Sequence, residues 1–241
     1  MKKLLYLLPI STLPLISLTT VSCSSSDWNA GIPKPTSDVW MIDTRTPFQF
    51  NVNGNVKLYK ALTEEEANNL VIPEVLEHNH PTIAHAHNGY KVKPWLITSD
   101  FFGPDGGFGR DRLKSISLPN TVQLIAGLEN TNITEIIIPS SVSGILTIAF
   151  QNCKLLKKIT FSENSKLNYI SQDAFYGTGL EEHLDLSKLE YLEEIDSFAF
   201  QNTQLTSVTL PPKCRYHYTA FPASCKITGG IEYGRPSASE K

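Results

Sequence analysis

Four of the six histidines lie within ten residues of one another, at His78, His80, His85 and His87. Neutral imidazoles are common ligands of zinc and other divalent transition metals. Because side chains alternate along an extended strand, each His-x-His pair would place two imidazoles on one side. One hypothesis is therefore that these four residues bind a metal ion such as zinc. The alternative is a polar loop with solvated histidines, since no His-Glu-x-x-His motif or Cys-x-x-Cys pair accompanies them.

Motifs of catalysis and nucleotide binding are missing from the sequence. It contains no Gly-x-Ser-x-Gly elbow, no phosphate-binding P-loop and no Gly-x-Gly-x-x-Gly after a strand. The acidic residues are scattered, so they do not indicate a catalytic carboxylate pair. The formal net charge of −3 disfavours nucleic-acid binding driven by counterion release. We therefore expect no enzyme activity and no nucleic-acid partner; a hydrolase with catalytic residues distant in sequence stays as a further alternative.

The N-terminus has the layout of an export signal over residues 1–22. Lys2 and Lys3 precede a mostly apolar stretch, and small residues precede Cys23. The segment Thr20-Val21-Ser22-Cys23 resembles a bacterial lipobox, although Thr20 stands where an aliphatic residue is usual. The resemblance implies cleavage before Cys23, covalent lipid on that residue, and anchoring at the extracellular face of the cell membrane. Simple secretion is the alternative.

The C-terminal half of the chain repeats. Ala-Phe pairs recur at intervals of 25 residues and finally of 21, at Ala149-Phe150, Ala174-Phe175, Ala199-Phe200 and Ala220-Phe221. Between them falls an L-x-x-I-x-L-like motif that starts at Leu113, Ile133, Leu156, Leu180 and Leu205. Its last two apolar residues are two apart, which is the period of a strand. One turn cannot bury these residues alone, so the pattern predicts stacked turns with a shared core.

We therefore predict a β-rich leucine-rich-repeat solenoid, a right-handed coil with one short strand per turn, and a small α+β N-terminal cap. The repeats resemble the BspA-like family of leucine-rich repeats over about residues 92–225. The best match is Ile133 to Leu156, with Cys153 at the family's cysteine position. The resemblance implies a curved solenoid on a surface-exposed bacterial protein, such as an adhesin or another interaction module. The family has no catalytic residues to carry over.

The chain divides into five predicted segments. They are the signal peptide 1–22, a tether 23–47, the cap 48–91, the solenoid 92–228 and a disordered tail 229–241. In the cap, Asn53-Gly54 predicts a hairpin and Thr63 begins a capping box; a second short helix is expected over 74–77. In the solenoid, His183 is one residue too many for its repeat, which indicates a bulge. A Cys214–Cys225 disulfide and free thiols both remain open.

The strand residues between the inward apolar positions must face outward, and we call them the ladder. They are Ser115, Ser117, Glu135, Ile137, Lys158, Thr160, His183, Asp185, Ser207 and Thr209. Solenoids use such faces for extended binding, although a merely solvated face is the alternative. The expected partner is a host or environmental surface macromolecule, with no cofactor apart from the lipid at Cys23. The alternative function is a metal-binding or solute-capturing lipoprotein built on the histidine cluster.

Overall fold

The computed structural model describes residue 32 and residues 35–36, 39–82, 85–103 and 106–236. The predicted signal peptide and Cys23 lie outside the described residues. One α-helix, α1, spans Glu64–Asn68, and 3-10 helices span His85–His87 and Arg110–Arg112. The strands of the described residues are β1 Met41–Ile42, β2 Phe48–Phe50, β3 Asn55–Leu58, β4 Leu70–Val71, β5 Leu76–Glu77, β6 Lys91–Val92, β7 Leu96–Ile97, β8 Ile116–Ser117, β9 Leu124–Ile125, β10 Glu135–Ile138, β11 Gly144–Ile145, β12 Lys158–Phe161, β13 Tyr169–Ile170, β14 Glu181–Asp185, β15 Glu194–Ile195, β16 Gln204–Thr209, β17 Arg215–His217, β18 Lys226–Thr228 and β19 Ile231–Tyr233.

The solenoid strands form two parallel stacks, which confirms the predicted β-rich solenoid, but each turn has two short strands and the prediction of one strand per turn is wrong. The ladder motifs supply β8, β10, β12, β14 and β16, and β18 adds to the last of them. Each turn also carries a second short strand on the other stack. These strands join the cap in a ten-stranded sheet of order β1-β2-β3-β7-β9-β11-β13-β15-β17-β19. Each turn therefore contributes one strand to the ladder and one to the ten-stranded sheet.

The ladder strands show the expected alternation of burial. In β10, Ile136 and Ile138 are buried, whereas Glu135 and Ile137 are exposed. β10 pairs in parallel with β12 so that Glu135 lies beside Lys158 and Ile137 beside Thr160. Because the side-chain period of a strand is two, this register puts like positions of successive turns on the same face.

A column of phenylalanine rings fills the core of the solenoid. Phe150, Phe175, Phe200 and Phe221 stack with ring centroids 5.1, 5.1 and 5.2 Å apart and planes within 8° of parallel. The alanine before each ring is fully buried, so its small side chain leaves room for the aromatic residue. Each ring except the terminal ones lies between two others. The column therefore exists only because the turns stack.

The cysteines of the solenoid are buried or half-buried free thiols. Cys153 is fully buried, and its Sγ lies 3.1 Å from the carbonyl oxygen of Leu128. Burial raises the pKa of the Cys153 thiol to about 11. Burial likewise raises the pKa of Cys214, to about 12. Cys214 and Cys225 are both free thiols here, so the alternative without a disulfide is the one observed.

The cap contains the predicted hairpin and helix start. β2 and β3 pair antiparallel, with a turn that includes Gly54 at φ 76°. The Thr63 hydroxyl accepts from the Glu66 amide, and the Glu66 carboxylate accepts from the Thr63 amide, which completes the capping box. β3 also pairs in parallel with β7. The cap therefore begins the ten-stranded sheet and covers the first turn of the solenoid.

Several local predictions are wrong or need new boundaries. The expected helix over 74–77 is instead strand β5, which pairs with β6 and buries Leu76 completely. Four residues do not repay the cost of nucleating a helix. The sheet begins at β1, inside the segment assigned to the tether, because Met41 is buried under the hairpin. β19 lies in the segment expected to be disordered, since the edge of β17 offers it a pairing partner.

An irregularity is present in this repeat, but the prediction that His183 is its surplus residue is wrong: Glu182 pairs with Leu205 and His183 with Ser207, which leaves Thr206 of β16 unpaired between them. The register between β14 and β16 shifts between Glu182 and His183. Glu182 adopts the left-handed conformation, with φ 63°, while His183 stays in register beside Ser207. The irregularity therefore leaves the ladder position of His183 intact. Within the described residues, no helix has the length and apolar character needed to cross a membrane.

Candidate interaction faces

All ten ladder residues lie on the outer surface of the ladder strands. Seven are exposed, and Ser115, Ser207 and Thr209 are half-buried. Ile137 is the apolar exception on this polar face, with 61% of its surface exposed. Its side chain is the one apolar contact that the ladder offers to a partner.

The ladder is divided into three sheets. β4 pairs with β8, β10 with β12, and β14 with β16 and β18; among the described strands, hydrogen bonds join neither β8 to β10 nor β12 to β14. Between β8 and β10 the surface opens into a groove of about 450 Å³. The groove is lined by Ser115, Ile116, Ser117, Leu118, Asn120, Glu135, Ile137, Pro139, Ser140 and Ser162. Four of the ten ladder residues therefore line one concave site.

A set of hydrogen bonds lies at one end of the groove. The Asn120 side-chain oxygen accepts from the Ser140 hydroxyl at 3.0 Å and from the Ser141 amide at 3.1 Å. This contact joins the loops that follow β8 and β10. The small side chains of Ser115 and Ser117 do not fill the space between the strands, so the groove keeps a polar floor.

Charged groups on the ladder interact weakly or locally. Glu135 and Lys158 approach to 4.0 Å, and their side chains are 68% and 69% exposed, so water screens the pair. A hydrogen bond to Ser187, whose amide lies 2.9 Å from the carboxylate, lowers the pKa of Asp185. His183 Nδ1 lies 2.9 Å from the Ser207 hydroxyl. The carboxylate of Glu135 and the ammonium group of Lys158 are thus both exposed to a partner.

A second group of residues stands on the last strands of the ten-stranded sheet, and we call it the aromatic–arginine cluster. It comprises Arg215, His217, Tyr218, Tyr233 and Arg235. The Arg215 guanidinium lies 4.8 Å from the centre of the Tyr233 ring, and Arg235 lies 5.6 Å from that of Tyr218. His217 meets Tyr233 edge to face at 5.3 Å. Tyrosine and arginine are the residue types that most often anchor protein interfaces.

The sequence analysis does not predict this cluster, because the cluster depends on the pairing of β17 with β19, for which the sequence has no motif. Its residues come from two segments, and one of them was assigned to a disordered tail. Only the pairing of β17 with β19 brings His217 beside Tyr233. Burial, together with a hydrogen bond to Glu194, raises the pKa of Tyr233, so its hydroxyl stays protonated at neutral pH. The density of tyrosine and arginine after residue 214 was the available signal.

The histidine cluster does not form the expected strand. His78 is fully buried, with Nδ1 2.9 Å from the Ile42 amide nitrogen and 3.0 Å from its carbonyl oxygen; the tautomer decides which it contacts. His85 and His87 lie in a 3-10 helix, and Gly89, with φ 86°, follows them. Where side chains are described, no three His, Cys, Asp or Glu residues are grouped to hold a metal. Metal binding by His78, His80, His85 and His87 remains a prediction.

Replacement of His78 by alanine tests whether this residue is structural. We expect the free energy of unfolding to fall by about 2–4 kcal/mol, because a buried side chain and its hydrogen bond are both removed. Urea unfolding with and without equimolar zinc measures the effect. His80→Ala, at a half-exposed site, is the control and should cost less than about 1 kcal/mol. A rise in the wild-type midpoint with zinc that both variants lose would favour the metal site.

Comparison with known proteins agrees with the geometry. The family model described as "BspA type Leucine rich repeat region (6 copies)" matches residues 126–230. A search of curated protein sequences finds no significant match.

Three solved structures are similar to this chain at low sequence identity. The crystal structure of the pneumococcal vaccine antigen PcpA matches with a TM-score of 0.50 at 16% identity, covering 83% of this chain and 66% of that one. A leucine-rich-repeat protein from Bacteroides capillosus matches with a TM-score of 0.32 at 19% identity, over 78% of this chain and 95% of that one. A leucine-rich cell surface protein from Faecalibacterium prausnitzii matches with a TM-score of 0.39 at 17% identity, over 80% and 56%.

Proposed function

Because residues 126–230 belong to the BspA-type leucine-rich-repeat family, we propose that the protein is a non-catalytic interaction module that binds a macromolecule at the cell surface. The proposed partner is a host or environmental surface protein, and the proposed contact surface is the ladder. The observation that carries the proposal is the exposed Ile137 beside a groove on the ladder. A single exposed aliphatic residue is common on protein surfaces, so the support comes from its position at a groove that four ladder residues line.

Anchoring at the membrane by lipid on Cys23 is part of the same proposal. The support is the sequence before Cys23, which has the charged start, apolar stretch and small residues of an export signal. A second support is the similarity in fold to PcpA, a pneumococcal vaccine antigen.

The two faces of the solenoid make different predictions about where a partner sits. The ladder offers a concave polar site with one exposed aliphatic residue. The aromatic–arginine cluster offers rings and guanidinium groups, but these already contact one another, and Arg235 also pairs with Glu232 at 2.7 Å. A partner would have to displace those contacts, so we place the primary interface on the ladder.

Capture of partners by variants of the two faces tests the proposal. The full-length chain in mild detergent is immobilised and exposed to an extract of epithelial cell-surface proteins, and bound proteins are quantified by mass spectrometry. We expect Thr160→Arg, at an exposed ladder position, to reduce capture of the specific partner at least tenfold, because a long charged side chain clashes with a docked surface. Tyr218→Arg, in the cluster, and Ser224→Arg, in an exposed loop, are the controls and should retain capture.

The opposite pattern would overturn this assignment. If Tyr218→Arg loses the partner and Thr160→Arg keeps it, the interface lies on the aromatic–arginine cluster. If the wild type captures no protein above the level of an unloaded matrix, the interaction-module proposal fails, and capture that all three variants retain would contradict the ladder as the interface. Urea unfolding of each variant confirms that the fold is intact, since exposed substitutions usually change stability by less than about 0.5 kcal/mol.

A further inference from the structure

The groove between β8 and β10 exposes the edges of two strands. The carbonyl oxygens of Ser115 and Ser117 accept from β4, from the amides of Leu70 and Ile72. Because successive residues of a strand direct their backbone groups to opposite sides, the carbonyl and amide of Ile116 face the groove. On β10, Thr134 and Ile138 accept from the β12 side, at the amides of Lys157 and Ser162.

The same alternation turns the backbone groups of Glu135 and Ile137 towards β8. The groove therefore contains carbonyl oxygens from both of its walls, in addition to the side chains that line it. In a continuous sheet, the facing backbone groups of β8 and β10 would pair with each other. Because β8 and β10 are not hydrogen-bonded, these carbonyl oxygens can accept hydrogen bonds from a ligand.

We propose that this groove binds a lysine or arginine side chain presented by the partner protein. The inference rests on the proposed function, since it names the chemistry that the ladder would recognise. The groove offers acceptors from strand-edge carbonyls, serine hydroxyls and the carboxylate of Glu135, beside strand-edge amides that can donate, and Glu135 is its one charged group. Ammonium and guanidinium groups are donors only, so their tips match these acceptors and the negative charge.

The charge of the groove lining also favours a lysine or arginine side chain. Glu135 is the single charged residue among the groove-lining residues, and no lysine or arginine lines the groove. Lys158 is 4.0 Å from Glu135 but outside the lining, and both side chains are largely exposed. A partner cation can therefore approach the carboxylate with little competition from within the site, whereas an acidic side chain would meet unfavourable charge.

The apolar part of the lining suits the stem of such a side chain. Ile137, Leu118 and Pro139 alternate with the polar groups of the groove. Lysine and arginine bury their aliphatic stems on apolar surface while their charged tips make polar contacts. The volume of about 450 Å³ falls within the range of about 300–1,000 Å³ typical of ligand pockets. It would hold one such side chain and the adjoining backbone of an extended segment.

Titration with short peptides tests this inference independently of any captured partner. The probes are acetyl-Gly-Arg-Gly-amide, its lysine counterpart and acetyl-Gly-Ala-Gly-amide. They are added to the ¹⁵N-labelled full-length chain in mild detergent while amide shifts are followed. We expect saturable shifts at Ser117, Glu135 and Ile137 with the two basic peptides only. Their dissociation constants should be about millimolar, since one side chain supplies few contacts.

Three variants sharpen the test. Glu135→Gln should weaken binding about threefold, which is the scale of one exposed charge interaction. Glu190→Gln removes the same charge from an exposed loop and should leave binding unchanged. Ser117→Phe fills the groove and should abolish binding while Glu135 is still present. Raising the salt concentration to 1 M should weaken the wild-type interaction by screening.

The inference fails if the alanine peptide produces the same shifts, or if Ser117→Phe binds the basic peptides as well as the wild type does. Binding by Ser117→Phe would mean that the basic peptides are attracted by surface charge and do not enter the groove. If Thr160→Arg abolishes capture of a partner and the basic peptides do not bind, the ladder remains the interface and the groove inference alone falls. Binding of the peptides without partner capture would support the groove and contradict the broader proposal.

Discussion

Phe175→Ala lowers the free energy of unfolding by roughly 3–5 kcal/mol, the loss expected for a buried phenylalanine. The Phe175 ring is fully buried, with Phe150 and Phe200 stacked on its two faces at 5.1 Å. Removal of the ring leaves a cavity shared by three turns. The turns cannot close this cavity independently, because the strands on both sides fix their spacing.

Urea unfolding followed by circular dichroism measures this loss. Phe198→Ala is the matched control, because Phe198 is 41% exposed and lies outside the ring column. The control should change the free energy of unfolding by less than about 1 kcal/mol. Equal losses in the two variants would mean that the column contributes no more than the surface does.

Gly127→Ala is expected to cost about 2–5 kcal/mol. Gly127 has φ 68°, a left-handed conformation that costs a residue with a Cβ about 1–2 kcal/mol. A Cβ there would lie 2.0 Å from the carbonyl oxygen of Thr98 in the neighbouring turn. Since that oxygen belongs to the backbone, the two turns would have to separate, which adds the cost of a displaced core, about 1–3 kcal/mol.

Gly177→Asn distinguishes the cost of the left-handed conformation from the cost of separating two turns. Gly177 also has a positive φ, of 66°, but the atoms nearest to an added Cβ belong to side chains, namely Asn152 Oδ1 at 2.7 Å and Asn202 Nδ2 at 3.6 Å. The equivalent positions one turn before and one turn after are Asn152 and Asn202, both with φ 58°. Asparagine tolerates this conformation, so Gly177→Asn should change the unfolding free energy by less than about 1 kcal/mol. A loss as large as that of Gly127→Ala would show that close approach of the turns is not the cause.

The sequence predicts the solenoid because each repeat has apolar residues that it can bury only against the neighbouring repeats. The Ala-Phe pairs recur at a constant interval, and every Phe of these pairs lies in the ring column. The strand period assigns the ladder residues outward, as with Glu135 and Ile137 on β10. The hairpin at Gly54 and the capping box at Thr63 follow from local chemistry, so short-range sequence signals were sufficient for them.

Other features depend on interactions between segments that are distant in sequence. The division of the ladder into three sheets depends on how successive turns lie beside one another, so it cannot be predicted from the sequence of any single repeat. The tail strand β19 forms because β17 presents an open edge. His78 looks like a metal ligand in a local motif, but it is buried by the strand β1, which lies 36 residues earlier. The candidate groove required the structure, although four of its residues were already in the predicted ladder.

The stacking of the turns, on which the ladder and its groove depend, can be tested by hydroxyl-radical footprinting of the full-length chain. Phe198 and Phe200 are chemically identical and two residues apart, yet Phe198 is 41% exposed and Phe200 fully buried. Tandem mass spectrometry should find Phe198 oxidised and Phe150, Phe175 and Phe200 protected, with Ile137 on the ladder also modified. Oxidation of Phe200 at the rate of Phe198 would contradict the stacked solenoid and the binding face built on it.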